Sequence, residues 1–340
     1  MKDLVIGIVG LDNWYHGMPF TTLAATTPGV RLKALADMQA SRLTWVNDRF
    51  PGVVTASDYE AVLTDPEIDA VIVMSPTAAH AGHAVLAARH GKHLLCDKPL
   101  GIGTADAKRI LDAYSDGAVR AATIFGRRGR PLYQQARQWI AEGRIGRPLA
   151  AVETGRFGLP RAMSDSADPG WYATPALSGG GGFLDHCVHQ LDALRFMVGG
   201  NVAKASGRTA RLLREVDAED YGIGTAVFDN GFVATIESSW ISDGPPTSVL
   251  SIEGTAGSLR LEDAALKTLT LRNGDRELTL ADKPGRFVEG EGWRLGMNGY
   301  SEVFANFVAM ARDGAAPLAT LEDGFKAVDL AERVYASSRL

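Results

Sequence analysis

The chain has 340 residues, of which 46% are hydrophobic and 22% are charged, so it can bury a large core and is long enough for about two domains. Its formal net charge of −5 disfavours nucleic acid as a partner, and its two cysteines, Cys96 and Cys187, are too few for a disulfide framework or a four-thiolate metal site. The apolar run Leu4–Val9 is too short for a signal-peptide core or a membrane span, so we expect a cytoplasmic protein without a membrane partner.

The first third of the chain alternates short β-branched runs with helical patterns. Strands are expected at Leu4–Val9, Val30–Ala36, Ala70–Met74 and His93–Cys96, each followed by a helix. Such alternation predicts a doubly wound parallel sheet, which binds ligands at the carboxyl ends of its strands. We therefore expect an α/β fold whose residues 1–122 form a Rossmann domain for NAD(P).

The turn after the first strand matches the dinucleotide fingerprint G-x-G-x-x-G only in part. Gly10 is in place, but Asp12 and Tyr15 stand where the second and third glycines would be. Because a carboxylate would repel a pyrophosphate, Asp12 is expected either to turn away and cap the helix together with Asn13, or to lie in a loop with a different path. The turn alone does not establish a nucleotide site.

Asp37 ends the second strand, where a carboxylate can accept both ribose hydroxyls and would repel a 2′-phosphate. This position favours NAD, and the choice between NAD and NADP stays open. The alternative is a turn or N-cap aspartate before the next helix.

Two later strand ends also carry residues suited to a cofactor. Ser75 and Pro76 come first, with His80 on the helix behind them, and the proline stiffens the backbone where a flat ring could lie. Asp97 and Lys98 end the next strand and precede a proline, which directs the lysine toward the expected nicotinamide position.

The stretch from Gly179 to Asp192 is the most informative in the chain. Its four glycines let backbone pack closely against a ligand or a neighbouring strand, and Asp185, His189 and Asp192 then fall on one helix face. A carboxylate one turn before an imidazole can accept its N–H and raise its basicity, which is how a general base is built. A helix-start aspartate with a core histidine is the alternative.

The Asp-Lys-Pro step at residues 97–99, followed later by Gly-Gly-Gly-x-x-x-Asp-x-x-x-His-x-x-Asp, resembles the glucose–fructose oxidoreductase/inositol dehydrogenase/MocA (Gfo/Idh/MocA) family. The resemblance covers nearly the whole chain. It implies an NAD(P)-dependent oxidoreductase that transfers a hydride to or from a secondary alcohol or ketone of a sugar, inositol or related polyol. The departures are Asp97 for the family's glutamate, Cys187 for a glycine, and the broken glycine turn.

By this resemblance Lys98, Asp185 and His189 are catalytic, and whether Lys98 or His189 is the base stays open. The expected cofactor-binding residues are Gly10, Asp12, Asn13, Asp37, Ser75, Pro76, His80, Asp97 and Lys98.

A metal is not expected. The pair His80 and His83 is more typical of partly exposed helix residues. Joint ligation by Asp185, His186 and His189 would need an irregular helix turn, because His186 sits about 100° round from Asp185.

Residues 123–340 are expected to form a substrate-binding and oligomerisation domain of the α+β class. Its strands run mainly antiparallel in a large open sheet, with hairpin turns at Asp229–Gly231 and Thr255–Gly257. The two C-terminal helices are candidates to pack back on the first domain, and the linker 282–298 is either a lid or a surface loop. The resemblance implies a homodimer or homotetramer.

The substrate side is expected to involve arginine forks and aromatic faces, which suit a polyhydroxylated ring. The candidates are Arg127, Arg128, Arg156, Trp171, Tyr172 and His186. A surface arginine cluster with core aromatics is the alternative.

Two other classes of function stay open. One is a lyase or glycoside hydrolase that keeps NAD bound and oxidises its substrate transiently, suggested by the altered turn, His186 and Cys187. The other is a binding relative without chemistry, suggested by Asp12 in the phosphate turn.

Overall fold

A computed structural model describes residues 2–163, 167–263, 267–281, 286–287, 294–295 and 299–338. The first sheet has six parallel strands in the order β3-β2-β1-β4-β5-β6. They are β1 (Leu4–Val9), β2 (Val30–Ala36), β3 (Val54–Ala56), β4 (Ala70–Val73), β5 (His93–Cys96) and β6 (Ala121–Thr123). The strand order reverses between β1 and β4, so a crevice opens at their carboxyl ends.

Helices cover both faces of this sheet. They are α1 (Trp14–Thr26), α2 (Ala40–Arg49), α3 (Tyr59–Leu63), α4 (His80–Arg89) and α5 (Thr104–Ala113). Every residue of β1 and β4 is buried, as expected for parallel strands packed between two helical layers. The expected Rossmann architecture is confirmed.

The second sheet has eight strands in the order β14-β13-β12-β11-β7-β10-β9-β8. They are β7 (Pro148–Arg156), β8 (Val202–Ala210), β9 (Tyr221–Phe228), β10 (Val233–Ser239), β11 (Thr247–Gly254), β12 (Ser258–Asp263), β13 (Lys267–Asn273) and β14 (Arg276–Ala281). The pair β7 and β10 is parallel and the other pairs are antiparallel, which confirms a mainly antiparallel open sheet.

Helices pack on one face of this sheet. They include α6 (Pro131–Ala141) and α8 (Gly182–Val198), while the short α7 (Pro175–Ser178) contacts the 3-10 turns Thr77–Ala79 and Gly170–Ala173. The glycine run starts α8 directly against the neighbouring chain: a side chain at Gly181 would collide with the carbonyl oxygen of Glu219. These glycines therefore let the helix begin where a larger residue could not fit.

The last two helices, α9 (Tyr300–Asp313) and α10 (Leu321–Ser338), join the two halves. Helix α9 packs on α1, while α10 contacts α5 and β6 as well as α8 and β8. Strand β6 spans the expected boundary at 122/123. Most of the linker 282–298 lies outside the described residues, and within it Arg286–Phe287 (β15) pairs with Arg294–Leu295 (β16).

Several elements were not expected from the sequence. Strands β3 and β6 have three residues each and α3 has five, too few for a periodic pattern. Strand β8 reads Val-Ala-Lys-Ala-Ser-Gly-Arg-Thr-Ala, with few large apolar side chains to mark an inner face.

Candidate functional site

A cavity of about 540 Å³ lies where the carboxyl ends of β1 and β5 meet the start of α8 and the second sheet. It is lined by Asn13, Tyr15, His16, Lys98, Gly126, Arg127, Arg130, Phe157, Gly158, Leu159, Pro160, Tyr172, Asp185, His186, His189, Pro246, Ser248, Lys267 and Tyr300. Its size suits a small organic molecule.

Lys98 and Asp185 form the central contact of this cavity. Lys98 Nζ donates to Asp185 Oδ1 at 2.6 Å and to the Asp185 carbonyl oxygen at 3.0 Å. Trp240 Nε1 also donates to the Asp185 carboxylate, at 3.3 Å. Burial alone would raise the pKa of Asp185, but the positive charge of Lys98 and then His186 hold it well below its usual range. The carboxylate is therefore ionised, and it ties the first half of the chain to the second.

His189 lies one helical turn after Asp185 and lines the same cavity. Burial, followed by the charges of Lys98 and Arg127, lowers the pKa of His189 well below its ordinary value, so the ring is neutral. Within the described part of the chain His189 makes no hydrogen bond, and the ring centroids of Phe125 and His16 lie 5.8 and 6.3 Å away.

The expectation that Asp185 accepts the N–H of His189 is not met. The carboxylate is taken by Lys98 instead, because a charge-assisted bond to an ammonium is stronger than one to a neutral imidazole. Asp192, expected on the same helix face, is fully buried and binds Arg128 Nη2 at 2.6 Å, so neither residue lines the cavity.

His16 is a cavity residue that the sequence interpretation did not assign. Its Nδ1 donates to Asp97 Oδ1 at 2.6 Å, and Asp97 also accepts from Asn13 Nδ2 at 2.7 Å and the Lys98 amide at 2.7 Å. Burial alone would raise the pKa of Asp97, but His16 and Lys98 lower it. Asp97 thus fixes the start of α1 and the imidazole of His16, rather than facing the cavity itself.

Three of the expected substrate-side residues line the cavity: Arg127, Tyr172 and His186. The His186 ring stacks on Phe157 with centroids 3.6 Å apart, and its Nε2 lies 3.2 Å from Asp185 Oδ2. Burial lowers the pKa of His186 to about 4, with Asp185 opposing and Lys98 assisting the shift.

Arg156 and Trp171 lie elsewhere. Arg156 projects from the exposed face of β7, opposite buried Glu153, and pairs with Glu237 at 3.2 Å. Successive strand residues point to opposite faces, so its odd spacing from Glu153 directs it away from the cavity. The indole of Trp171 stacks on Tyr172, and its Nε1 donates to the Asp12 carbonyl at 2.9 Å. Trp171 therefore covers the first turn.

The first turn has the backbone of a dinucleotide cradle. Gly10 adopts φ of +82°, and a Cβ there would lie 2.6 Å from Ser75 Cα, so only glycine allows the two strand ends to approach this closely. Asp37 follows β2 and is fully buried; its carboxylate accepts from the amides of Leu11 at 2.6 Å and Gln39 at 2.7 Å. A glycine in the turn and an aspartate after the second strand are the residue types that an NAD site uses.

The charges at this turn are arranged differently from the expectation. Asp12 does not cap α1: it binds Arg42 Nη1 at 2.6 Å and accepts from the Tyr59 hydroxyl at 3.2 Å. Burial and the neighbouring Asp37 raise the pKa of Asp12, while Arg42 opposes them. The guanidinium outcompetes a helix N-terminus for the carboxylate because it offers a full positive charge.

Arg42, Ala162 and Trp171 together cover this turn, and we call them the turn cover. Arg42 is fully buried, and its Nη2 donates to the Ala162 carbonyl at 3.2 Å. Since Asp12 is only 8% exposed beneath them, the turn is screened from solvent in this conformation.

His80 links the segments that follow two neighbouring strands, β4 and β5. Its ring nitrogens lie 2.8 Å from the Ser75 carbonyl and 2.9 Å from the Pro99 carbonyl. Ser75, which precedes Pro76 in the chain, has its Oγ 2.9 Å from His83 Nδ1. These contacts place the ends of β4 and β5 side by side.

The family models match both halves of the chain. Residues 4–124 match an oxidoreductase family with an NAD-binding Rossmann fold, and residues 133–260 match the Gfo/Idh/MocA C-terminal domain. The chain belongs to the Gfo/Idh/MocA oxidoreductase family. It is therefore a member of an NAD-binding family of enzymes, as the sequence resemblance implied.

Individual relatives agree with this family. An uncharacterised oxidoreductase, YrbE of Bacillus subtilis, is 30% identical over 84% of this chain and 81% of its own length. The NAD(+)-dependent scyllo-inositol 2-dehydrogenase of the same organism is 27% identical over 94% and 89%. A solved levoglucosan dehydrogenase in complex with NADH and levoglucosan has a TM-score of 0.83 at 23% identity, covering 99% of this chain and 97% of that one, which shows the shared fold.

The described residues contain neither a metal-binding cluster nor a membrane-spanning helix. No group of three or more histidine, cysteine, aspartate or glutamate side chains is placed to hold a metal there. None of the helices described is both long and apolar enough to cross a bilayer.

Proposed function

We propose that this Gfo/Idh/MocA enzyme is an NAD-dependent dehydrogenase or reductase acting on a secondary alcohol or ketone of a sugar, an inositol or a related polyol. The observation that carries the proposal is the 2.6 Å contact between Lys98 Nζ and Asp185 Oδ1 in the cavity that His189 also lines. An ammonium and an imidazole from different halves of the chain meet there. The inositol and levoglucosan dehydrogenases among its relatives support the substrate class.

His189 is the proposed proton acceptor. Its ring is neutral and makes no hydrogen bond to the described residues, so a ring nitrogen can accept a hydrogen bond from a substrate hydroxyl and take its proton as the carbon loses hydride. The lowered pKa of His189 disfavours the imidazolium, so the proton must pass on from the ring rather than stay there. Lys98 gives Asp185 two of its hydrogen bonds, which leaves a third N–H for the substrate oxygen. There its positive charge stabilises the developing alkoxide.

Bound NAD would supply the hydride acceptor or donor. We propose that it is held by the residues expected from the sequence, with the glycine turn and Asp37 at one end and Lys98 at the other. Those residues are Gly10, Asn13, Asp37, Ser75, Pro76, His80, Asp97 and Lys98, with Asp97 acting through its hold on His16 and Asn13. Asp12, also expected there, is bound to Arg42, and we propose that it opposes the pyrophosphate rather than holding it.

The test is a spectroscopic assay of the purified protein with NAD, or NADH in the reverse direction, against a panel of inositols, sugars and their ketones. Absorbance of reduced nicotinamide should change with at least one member, and His189→Gln should abolish the change. Absence of turnover across the panel, with NAD bound in a separate calorimetric titration, would overturn the proposal.

A second candidate is transient oxidation by a retained cofactor, and the turn cover favours it because covered residues would slow cofactor exchange. Denatured protein would then release nicotinamide nucleotide. Glycosides would also be cleaved without net reduction.

We also propose a homodimer or homotetramer formed through the outer face of the second sheet. Val152, Val227 and Val233 lie on that face with 53%, 37% and 37% of their surface exposed, which is unusual for neighbouring valines in a sheet. Sedimentation velocity would measure the mass, and Val152→Asp should shift it toward the monomer.

A further inference from the structure

His16 and Asp97 form a second acid/base pair at the cavity, separate from Lys98 and Asp185. His16 lies in the first turn of α1 and Asp97 directly after β5, and His16 Nδ1 is 2.6 Å from Asp97 Oδ1. Both side chains are buried, but His16 lines the cavity. An imidazole that shares a hydrogen bond with a carboxylate is the arrangement that proteins use to move protons near neutral pH.

The tautomer of His16 follows from its partner. Burial alone would raise the pKa of Asp97, but His16 and then Lys98 lower it, so the carboxylate is ionised and can only accept. His16 Nδ1 therefore carries the proton of the 2.6 Å hydrogen bond, and the lone pair of the neutral ring is on Nε2. His16 Nε2 makes no hydrogen bond to the described residues and is not a fully buried atom, so it is open to the cavity as a proton acceptor.

His189 lies beside this acceptor. The ring centroids of His16 and His189 are 6.3 Å apart, and the ring planes cross at 80°. Both residues line the same cavity, and His189 makes no hydrogen bond to a described residue either. Two hydrogen bonds of about 2.8 Å span a gap of this order, so a single water can bridge the two imidazoles.

The cavity offers the proton few other places. Burial, followed by the charge of Lys98, lowers the pKa of His189 well below its ordinary value, which disfavours a proton that stays on that ring. Burial also lowers the pKa of His186 to about 4, although Asp185 opposes that shift. The Asp185 carboxylate is itself ionised and bound to Lys98.

Asp97 differs from Asp185 in its partners. It forms an ion pair with no described residue besides His16. Its other hydrogen bonds come from neutral groups, the Asn13 carboxamide and the Lys98 main-chain amide. Its negative charge therefore directly faces a proton that arrives on the imidazole of His16.

We propose that His16, backed by Asp97, is a proton relay that receives the substrate proton from His189 and releases it to solvent. The assignment rests on the proposed dehydrogenase function. In oxidation the substrate O–H bond breaks as an N–H bond forms on His189, and the electron pair of the adjacent C–H bond leaves as hydride to the nicotinamide. The His189 N–H bond then breaks, directly or through one water, as the proton bonds to His16 Nε2. Reduction reverses each transfer.

His16→Asn tests the relay, because its amide can still donate to Asp97 but offers no basic nitrogen in place of Nε2. The kcat for polyol oxidation should fall about 10²-fold, with KM of the polyol and the Kd for NAD changed less than about threefold. In His16→Ala, imidazole added at constant pH should raise kcat at least about tenfold. His90→Asn, at an exposed position directly after α4, should leave kcat, KM and Kd unchanged.

Nitrogen-15 NMR of the histidine side chains gives a second measurement, which needs neither substrate nor cofactor. The His16 signals, assigned by their loss in His16→Asn, should show the neutral ring with its proton on Nδ1. A neutral ring protonated on Nε2 would overturn the assignment, because Nε2 could not then accept a proton.

Full kcat in His16→Asn, or a loss that imidazole does not restore in His16→Ala, would overturn the relay and leave the dehydrogenase reaction standing. Failure of the parent enzyme to transfer a hydride to or from any polyol would instead contradict the reaction itself. The activity of the parent enzyme therefore separates failure of the relay from failure of the proposed function.

Discussion

The cavity and the turn after β1 lie close together but differ in charge. In the cavity, lysine and arginine outnumber carboxylates among the described lining residues, and the pKa values of His186 and His189 fall. At the turn, two carboxylates share the single guanidinium of Arg42, and the pKa of Asp12 rises. The two regions therefore shift their ionisable groups in opposite directions: the pKa values of the cavity histidines are lowered, and the pKa of Asp12 is raised.

This difference is informative because NAD brings an anionic pyrophosphate to such a turn. Rossmann turns usually meet it with bare amides and glycines, whereas here an aspartate is present and its charge is offset by Arg42. The chemistry of the cavity and the affinity of the turn can therefore be changed separately. Three experiments examine that separation, and a fourth examines the lowered pKa of His186 in the cavity.

The largest effect is expected from Lys98→Met in the cavity. Loss of the ammonium should lower kcat about 10²–10⁴-fold, because the substrate oxygen loses its charged partner. The Kd for NAD, measured by calorimetry, should change less than about tenfold. Lys108→Met, on the exposed side of α5, is the control. Equal losses of kcat and NAD affinity would break the separation of the two regions.

The next effect is on stability at acid pH. The pKa of His186 is about 4 in the folded chain, whereas in the unfolded chain it has its ordinary value of 6.5. As pH falls, the unfolded chain is therefore protonated at this residue before the folded chain is. Stability is full above pH 6.5 and is lost as pH falls toward 4, by about 3 kcal/mol from this group. Urea unfolding across that pH range should show that the free energy of unfolding falls less steeply in His186→Gln than in the parent protein. An unchanged slope would mean that His186 is not the group responsible.

The fold, and the meeting of Lys98, Asp185 and His189 at one cavity, could be predicted because short local patterns determine them. Buried strands followed by helices define the first sheet, and Lys98 and Asp185 stand at a strand end and a helix start that the topology places together. Residues at such ends are brought to one edge whatever the intervening sequence.

The other contacts depend on pairings that no local pattern contains. His16 and Asp97 are 81 residues apart, and their hydrogen bond exists only because α1 starts beside the end of β5. Arg156 was expected on the substrate side, but it lies on the other face of β7. A shift of one residue along a strand is enough to move a side chain from one face to the other. Arg130 and Lys267 belong to no motif, and only the tertiary fold brings them to one cavity.

A smaller effect is expected from Asp12→Asn at the turn. Removing one carboxylate leaves Arg42 shared with Asp37 alone, so the region should accept a pyrophosphate more readily. The Kd for NAD should fall about fivefold to tenfold by calorimetry, with kcat nearly constant. Asp48→Asn, an exposed aspartate on α2, serves as the matched change of charge. Weaker binding in Asp12→Asn would show that Asp12 contributes to NAD binding rather than opposing it.

The smallest effect concerns the turn cover. Trp171→Phe keeps an aromatic ring beside Tyr172 but removes the N–H that donates to the Asp12 carbonyl, a bond of about 1 kcal/mol. If the cover must part before NAD enters, stopped-flow binding should show an association rate about fivefold higher, with little change in kcat. Trp139→Phe, which removes another buried indole, from α6, controls for loss of a tryptophan. An unchanged association rate in Trp171→Phe would mean that NAD reaches the turn without breaking this contact, and the covered conformation would then not limit entry.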